Sequence, residues 1–265
     1  MCFQSDAGRG GPVKALVIRK RDFGESDLIV EFLCETGALH SGFAASAKRS
    51  RRRFPHQFFL PAIYNVEWTR SAQGGQLKRI ASCELDQAFP KIADHIEDYA
   101  RWASLLEWMA RSHDELGQSL NYFEALCGVL HSSESNQFHT AYHRFLIEEM
   151  RRHGVNPDLK DCGSCHKAIH AESNFSVLEA KVFHTDCRPG WRLTLKARDF
   201  FCHVLSDESR IEDPPFLSTE DLQCLDATTL AFLTTQLGLE LKSQNFLRQI
   251  AESSLPTARD QSASF

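Results

Sequence analysis

Hydrophobic positions in the first third of the chain recur with a period of two. Val13, Ala15 and Val17 alternate with Leu16 and Ile18 in the β-rich segment Val13–Arg21, ahead of a turn signal at Asp22-Phe23-Gly24. Apolar runs at Leu28–Leu33, Leu39–Ala45, Phe58–Trp68 and Leu77–Leu85 predict four more strands, punctuated by the turns Glu35-Thr36-Gly37 and Ser71-Ala72-Gln73-Gly74-Gly75. Five short strands in so little chain predict a small closed barrel, because closure removes unpaired edges. An oligonucleotide-binding barrel is one of the few five-stranded solutions.

After Pro90 the period lengthens. Trp102, Leu105, Leu106 and Met109 fall on one helical face, as do Phe138, Tyr142, Phe145, Leu146 and Met150 before His153-Gly154, and Leu222, Leu225, Leu230, Leu233 and Leu237 before Gly238. These stripes are read as core. The helical signal breaks between Lys160 and Gly190, where Cys and His cluster. The expected class is therefore α+β and multidomain: a flexible polar start at 1–12, a five-stranded OB-fold barrel at 13–88, an all-α domain at 89–251 with a small metal-binding module inserted at 160–190, and a polar, disordered tail at 252–265.

Overall composition is that of an ordinary folded protein, with 42% hydrophobic and 25% charged residues. No apolar run approaches the roughly 18 residues that span a bilayer, and the start lacks the apolar core of a signal peptide, so a cytoplasmic protein is expected. Net charge changes the picture only when it is divided. Residues 1–80 hold 13 Lys/Arg against 7 Asp/Glu, a net +6 within a chain of −5, which leaves −11 for the remainder. A basic front suits a polyanion, and an acidic rear keeps the whole soluble.

The sharpest charge feature is Lys48-Arg49-Ser50-Arg51-Arg52-Arg53, with Phe54, His56, Phe58 and Phe59 behind it. Arg19, Lys20 and Arg21 end the first strand; Arg70, Lys78 and Arg79 flank the last turn. Together Arg19, Lys20, Arg21, Lys48, Arg49, Arg51, Arg52, Arg53, Lys78 and Arg79 form a candidate DNA-binding set that would neutralise phosphate, with rings able to stack bases. The plainer alternatives are a solvated loop and core phenylalanines. Nothing in the set is arranged to read base edges.

Among nine cysteines, Cys162-Gly163-Ser164-Cys165 is a C-x-x-C knuckle, and His184-Thr185-Asp186-Cys187 adds an H-x-x-C pair. Two such pairs can grip one tetrahedral ion from two sides, and a filled set of Cys162, Cys165, His184 and Cys187 leaves no position for a catalytic water, so Zn2+ would be structural. Gly163 would ease the knuckle's turn. His166 and His170 compete with His184 as fourth ligand. Two unrelated thiols and a surface histidine are the plainer alternative, and a redox C-x-x-C lacks its βαβ context. P-C-x-x-C, a mark of a zinc deaminase, does not occur. Cys34, Cys83, Cys127, Cys202 and Cys224 sit in apolar runs and read as small core residues; Cys2 lies in the loose start.

These segments, in this order, resemble the RecO family. Val13-Lys14-Ala15-Leu16-Val17-Ile18 with Arg21-Asp22-Phe23-Gly24-Glu25-Ser26-Asp27 is similar to its first strand and Gly-Glu-x-Asp turn, and Thr36-Gly37 with Ala47-Lys48-Arg49-Ser50 continues it. Phe145, Gly154, Pro157, Leu159, Cys162 and Cys165 resemble its helix end and first knuckle; Phe175, His184 and Cys187 its second; Leu241-Lys242-Ser243 with Phe246-Leu247 its closing helix. Two departures stand out: His184 replaces a cysteine, and Ala180-Lys181 replaces a Gly-Gly pair. Some relatives lack zinc altogether. The resemblance implies a non-enzymatic DNA repair and recombination mediator that binds single- and double-stranded DNA and anneals complementary strands. It would act with RecR to load RecA onto strands coated by single-strand DNA-binding protein (SSB). It also implies binding of that protein's acidic C-terminal tail, for which Arg198, Lys242 and Arg248 are the candidates. No P-loop is present, which fits annealing without ATP. A protein-binding adaptor with an OB-like barrel and structural zinc is the alternative; a zinc hydrolase is disfavoured by the filled ligand set. No membrane or small-molecule partner is expected.

Overall fold

A computed structural model describes residues 11–55, 58–59, 61–69, 78–116, 122–206 and 216–253. The expected loose start (save residues 11 and 12), the turn at 71–75, His56, Arg70 and all but the first two residues of the polar tail lie outside them. The chain divides into two compact units, residues 1–134 and 135–265.

The first unit holds five strands, β1 (Val13–Phe23), β2 (Asp27–Cys34), β3 (Leu39–Ala44), β4 (Ala62–Trp68) and β5 (Lys78–Ala88). They close into a barrel in the order β1-β2-β3-β5-β4, with β4 returning to β1. β3 and β5 meet in parallel, and every other pairing is antiparallel. Period-two alternation sends Ala15, Val17, Val30, Phe32, Tyr64, Val66 and Ile80 into one interior cluster. Leu16 and Ile18 are buried without joining that cluster, which explains the unbroken apolar run of β1. Gly42 is required where β3 meets β5, since a Cβ there would fall 2.6 Å from Ile80 Cδ1 and 2.8 Å from Trp68.

The strand boundaries differ most from expectation in three places. β1 runs on to Phe23, so the turn begins at Gly24; β4 starts at Ala62 rather than Phe58; β5 extends to Ala88. Phe58 has φ of +57° and is a loop residue whose ring belongs to the barrel interior, so its hydrophobicity reflects burial and not extended backbone. The change from strand to helix falls at residues 88–90, while the compact unit continues through α1 (Pro90–Asp94), α2 (Ile96–Leu116) and α3 (Tyr122–Ser132).

In the second unit, α4 (Phe138–Arg152), α5 (Leu195–Leu205), α6 (Thr219–Gln236) and α7 (Lys242–Ser253) accompany a three-stranded sheet of β6 (Ser173–Ser176), β7 (Lys181–His184) and β8 (Trp191–Leu193), ordered β7-β6-β8. The predicted stripes of α2, α4 and α6 are buried, except that Leu222 and Leu237 are only half-buried. Gly154 and Gly238 take the left-handed conformation that ends their helices, as their positions predicted. Phe175 of β6 packs on Phe232 of α6 and Phe201 of α5, which ties the small sheet to the helices.

One buried carboxylate joins two helix starts. Thr194 caps α5 by accepting from the Ala197 N–H at 3.1 Å, and its hydroxyl donates to Asp221 at 2.6 Å. Asp221 in turn accepts from the Ser218 N–H at 2.8 Å within the capping box of α6. Burial pushes the Asp221 carboxyl up, but the Thr194 and Ser218 donors outweigh it and hold it below the usual carboxylate range. A folded-state value below the unfolded one stabilises at neutral pH, and that contribution is lost as pH falls through the folded value. Asp221→Asn is therefore expected to lose about 1–3 kcal/mol at pH 7, measured by denaturant melts. The deficit should shrink as the pH is lowered below about 4.

Candidate metal centre and nucleic-acid interface

The first knuckle forms because the Cys162 N–H donates to the Lys167 carbonyl and the His166 N–H to the Cys162 carbonyl, both at 2.9 Å. This folds Cys162 and Cys165 back toward the end of β7, where His184 and Cys187 follow with the Cys187 N–H donating to the His184 carbonyl at 2.9 Å. The four ligand atoms all lie within 4.8 Å of one another. His184 Nδ1 is 3.3 Å from Cys165 Sγ and 4.0 Å from Cys187 Sγ. Tetrahedral bonds near 2.3 Å for sulfur and 2.0 Å for nitrogen put such edges at about 3.5 Å. The other ring nitrogen, Nε2, is 3.3 Å from the Ala168 carbonyl. That bond fixes the proton on Nε2 and leaves Nδ1 bare toward the sulfurs, the outer-shell arrangement usual for a ligating histidine.

The donor set suits a soft or borderline cation. Burial pushes the Cys162 thiol up, but N–H donors from Cys165, His184 and Ser164 outweigh it and bring it down to about 5, so the sulfur is held as thiolate. Cys187 is pushed up to about 11 by burial and by the neighbouring thiols. His166 and His170 are exposed and lie outside the group. The five other cysteines expected in the core are free thiols: Cys34, Cys83 and Cys224 are buried, whereas Cys127 and Cys202 are only half-buried.

One glycine expectation changes. Gly163 is not needed for a left-handed turn; it is needed because Phe183 lies where a Cβ would sit, 2.8 Å away. The left-handed positions are His166 and Ala180, at φ of +57° and +55°. Ala180 stands where the sequence departs from a Gly-Gly pair, so the departure leaves strain in the backbone. Ala180→Gly is expected to raise stability by about 0.5–1 kcal/mol, the relieved strain exceeding the added freedom of the unfolded chain; a thermal melt reads it.

The basic residues do not form one uniform patch. A bulge between Val17 and Arg19 reverses the phase of β1, so Arg19 and Arg21 pair with Glu31 and Ile29 on the outer face, while Lys20 pairs with interior-facing Val30. The outer row continues from Arg21 through Ile29 and Phe43 to Arg79, and exposed Phe23 meets Phe43 edge-on at 5.7 Å. Lys20 turns to the rim, where Nζ donates to the Phe58 carbonyl at 3.2 Å. Lys78 sits by His40 and over Trp68.

The Gly-Glu-x-Asp turn anchors the basic loop. Asp27 accepts from the Ser46 N–H at 2.7 Å, the Lys48 N–H donates to the Ser26 carbonyl, and Lys48 and Arg49 face Asp22 and Glu25 at 2.8 and 3.8 Å. Arg53 folds inward, donating to the Ala45 carbonyl at 2.7 Å and lying over the Phe54 ring. Arg53 is thus a staple of the loop, whereas Arg51 and Arg52 are exposed. Phe54 and Phe58 are each only 1% exposed and are core, so neither stacks a base. Phe23, which the sequence places in a turn signal, is 52% exposed, because the bulged strand turns its ring outward.

The three candidate cations of the helical body lie on two helices, Arg198 on α5 and Lys242 and Arg248 on α7. Arg198 is spent on the Ile169 carbonyl and Asp199. Lys242 and Arg248 are exposed on α7, and an open depression of about 440 Å3 is lined instead by Trp191, Arg192, Glu220, Gln223 and Cys224. Its own Arg192 is neutralised by Glu172 and Glu220. No helix among the described residues is long and apolar enough to cross a membrane.

Comparison with known proteins agrees with this geometry. A family model described as "Recombination protein O N terminal" matches residues 12–89, the span of the barrel. Proteins named DNA repair protein RecO match more widely. That of Anaeromyxobacter sp. (strain K) is 27% identical over 253 residues, covering 89% of this chain and 94% of its own. That of Anaeromyxobacter dehalogenans (strain 2CP-C) is 25% identical over 249 residues with the same coverage. That of Dehalococcoides mccartyi (strain 195) is 24% identical over 177 residues, covering 66% and 69%. The barrel is thus similar to the RecO N-terminal domain, and most of the chain is similar to proteins named DNA repair protein RecO. The RecO resemblance in the sequence thus holds, as does the barrel followed by helices. One further group, His139, His143 and Asp226, brings two side chains of α4 at H-x-x-x-H spacing together with one of α6.

Proposed function

We propose that this chain is a cytoplasmic DNA repair and recombination mediator of the RecO type, without covalent chemistry, whose barrel at 13–88 holds single- and double-stranded DNA and anneals complementary strands. The observation that carries this reading is the row of outward cations on the barrel, Arg19, Arg21 and Arg79, extended by Arg51 and Arg52 of the anchored loop. Cations spread over a small rigid surface lower the repulsion between two phosphate backbones, so that complementary bases can meet without ATP. Lys48 and Arg49 form exposed or half-exposed ion pairs with Asp22 and Glu25, and pairs of that kind are weak enough to exchange for phosphate. Lys20 and Lys78 contribute charge at the rim.

The Cys162, Cys165, His184, Cys187 set holds a structural Zn2+ that fixes the small sheet. RecR, RecA and the SSB tail are the partners this role calls for, and Lys242 and Arg248 on α7 are retained as candidates for the acidic tail. A strand-annealing assay on the full chain, with metal quantified on the same preparation, tests the proposal. Acceleration of annealing that fades as salt rises supports it; no effect on annealing at low salt overturns it.

A further inference from the structure

His139 and His143 stand one turn apart on α4, their rings 5.0 Å from centre to centre and tilted by 36°. Asp226 of α6 faces them: its Oδ1 lies 2.9 Å from His139 Nε2 and 3.2 Å from His143 Nε2. His143 is completely buried, whereas the side chains of His139 and Asp226 are 23% and 30% exposed. We propose that these three residues form a second divalent-metal site, separate from the Cys3His centre and open to solvent on one side.

The first argument is spacing. Two ligand atoms bound at about 2.1 Å to one ion are about 3.0 Å apart at right angles and about 3.4 Å apart at the tetrahedral angle. The two nitrogen–oxygen separations, 2.9 and 3.2 Å, lie at its lower edge and within it. The second is proton placement. The Thr229 hydroxyl donates to the Leu225 carbonyl at 2.9 Å, so Thr229 receives the Nδ1–H of His143, also at 2.9 Å. With His143 in its neutral form, the lone pair of Nε2 faces a carboxylate oxygen 3.2 Å away, and a cation between them removes the conflict. Thr229 thereby acts as the outer-shell group that orients the ligand, as Ala168 does for His184.

The third argument is access. Two imidazoles and one carboxylate suit zinc, cobalt, nickel, manganese or ferrous ions, and the partial exposure of His139 and Asp226 gives the ion an entry path and room for water. Sulfur is absent from the set, so its metal preference differs from that of the thiolate centre.

Equilibrium dialysis of the full chain against micromolar zinc, with metal counted per chain, tests the site. The wild type is expected to bind two equivalents. His139→Gln, which alters a partly exposed side chain, is expected to lose one, and Asp226→Asn the same, with unchanged circular dichroism. Thr229→Val should weaken the lost equivalent by about 10–100-fold. Cys165→Ser reports the other centre: one equivalent that survives in Cys165→Ser and disappears in His139→Gln still supports the second site even if the thiolate centre binds nothing. Zinc binding that is the same in His139→Gln as in the wild type, or no zinc bound by the wild type, overturns it. In that outcome the Thr229 hydroxyl turns to Nδ1 and the cluster is a hydrogen-bonded triad only.

Discussion

Replacing Cys162 with serine is expected to abolish metal binding at the Cys3His centre and to unfold the segment around residues 160–190. The size of the effect follows from what else holds that segment. Its sheet has strands of three and four residues, too short to be stable alone. Its apolar contribution is limited to a few side chains, chiefly Phe175, Val182, Phe183 and Leu193. Structural zinc binding in small modules is worth on the order of 10 kcal/mol, far more than those contacts supply. Because Phe175 packs on Phe201 and Phe232, unfolding there also exposes α5 and α6, and the loss should appear as a lower melting temperature. A chelator should reproduce it. The barrel lies in the other unit and contains all ten candidate DNA-binding residues, so DNA affinity measured after chelation should persist. A variant that keeps its zinc and its melting temperature would refute the assignment of the ligands.

How far the fold could be read from sequence depended on the length scale of the signal. Alternation in β1 and β2 and the stripes of α2, α4 and α6 are local patterns repeated over many residues, and they fixed the elements. The bulge at Ile18 has no such pattern: one extra residue reverses which side Arg19, Lys20 and Arg21 face, and nothing in the composition of that run announces it. Arg53 reads the same as Arg52 in sequence; the difference is that the turn carrying it brings the Ala45 carbonyl within reach. The knuckles were legible because tetrahedral coordination demands short, fixed gaps. The pairing of His139 and His143 with Asp226 was not, because a lone aspartate more than 80 residues away carries no spacing signal.

Replacing Arg19, Arg21, Arg51 and Arg52 with alanine is expected to lower affinity for single-stranded DNA and to flatten its dependence on salt. Each phosphate contact on a single strand contributes about 0.7 to the slope of log K against log salt, so the loss of four contacts should reduce the slope by about 3. At 0.1–0.2 M salt that amounts to roughly a hundredfold or more in affinity. None of the four side chains is buried, so the barrel interior remains intact and the variant should fold. Arg53→Ala supplies the contrast. It removes the bond to Ala45 and the contact over Phe54, so its main effect should be on stability and on the order of the loop, with a slope change smaller than one contact. Phe23→Ala separates strand types: a ring that stacks a base is worth about 1–3 kcal/mol on a single strand and nothing comparable on a duplex, whose bases are already stacked. Fluorescence anisotropy at four or more salt concentrations, with single- and double-stranded probes of equal length, reads all three effects. A slope that survives loss of the four arginines would move the interface off the outer face of β1 and its neighbouring loop, and the annealing mechanism with it.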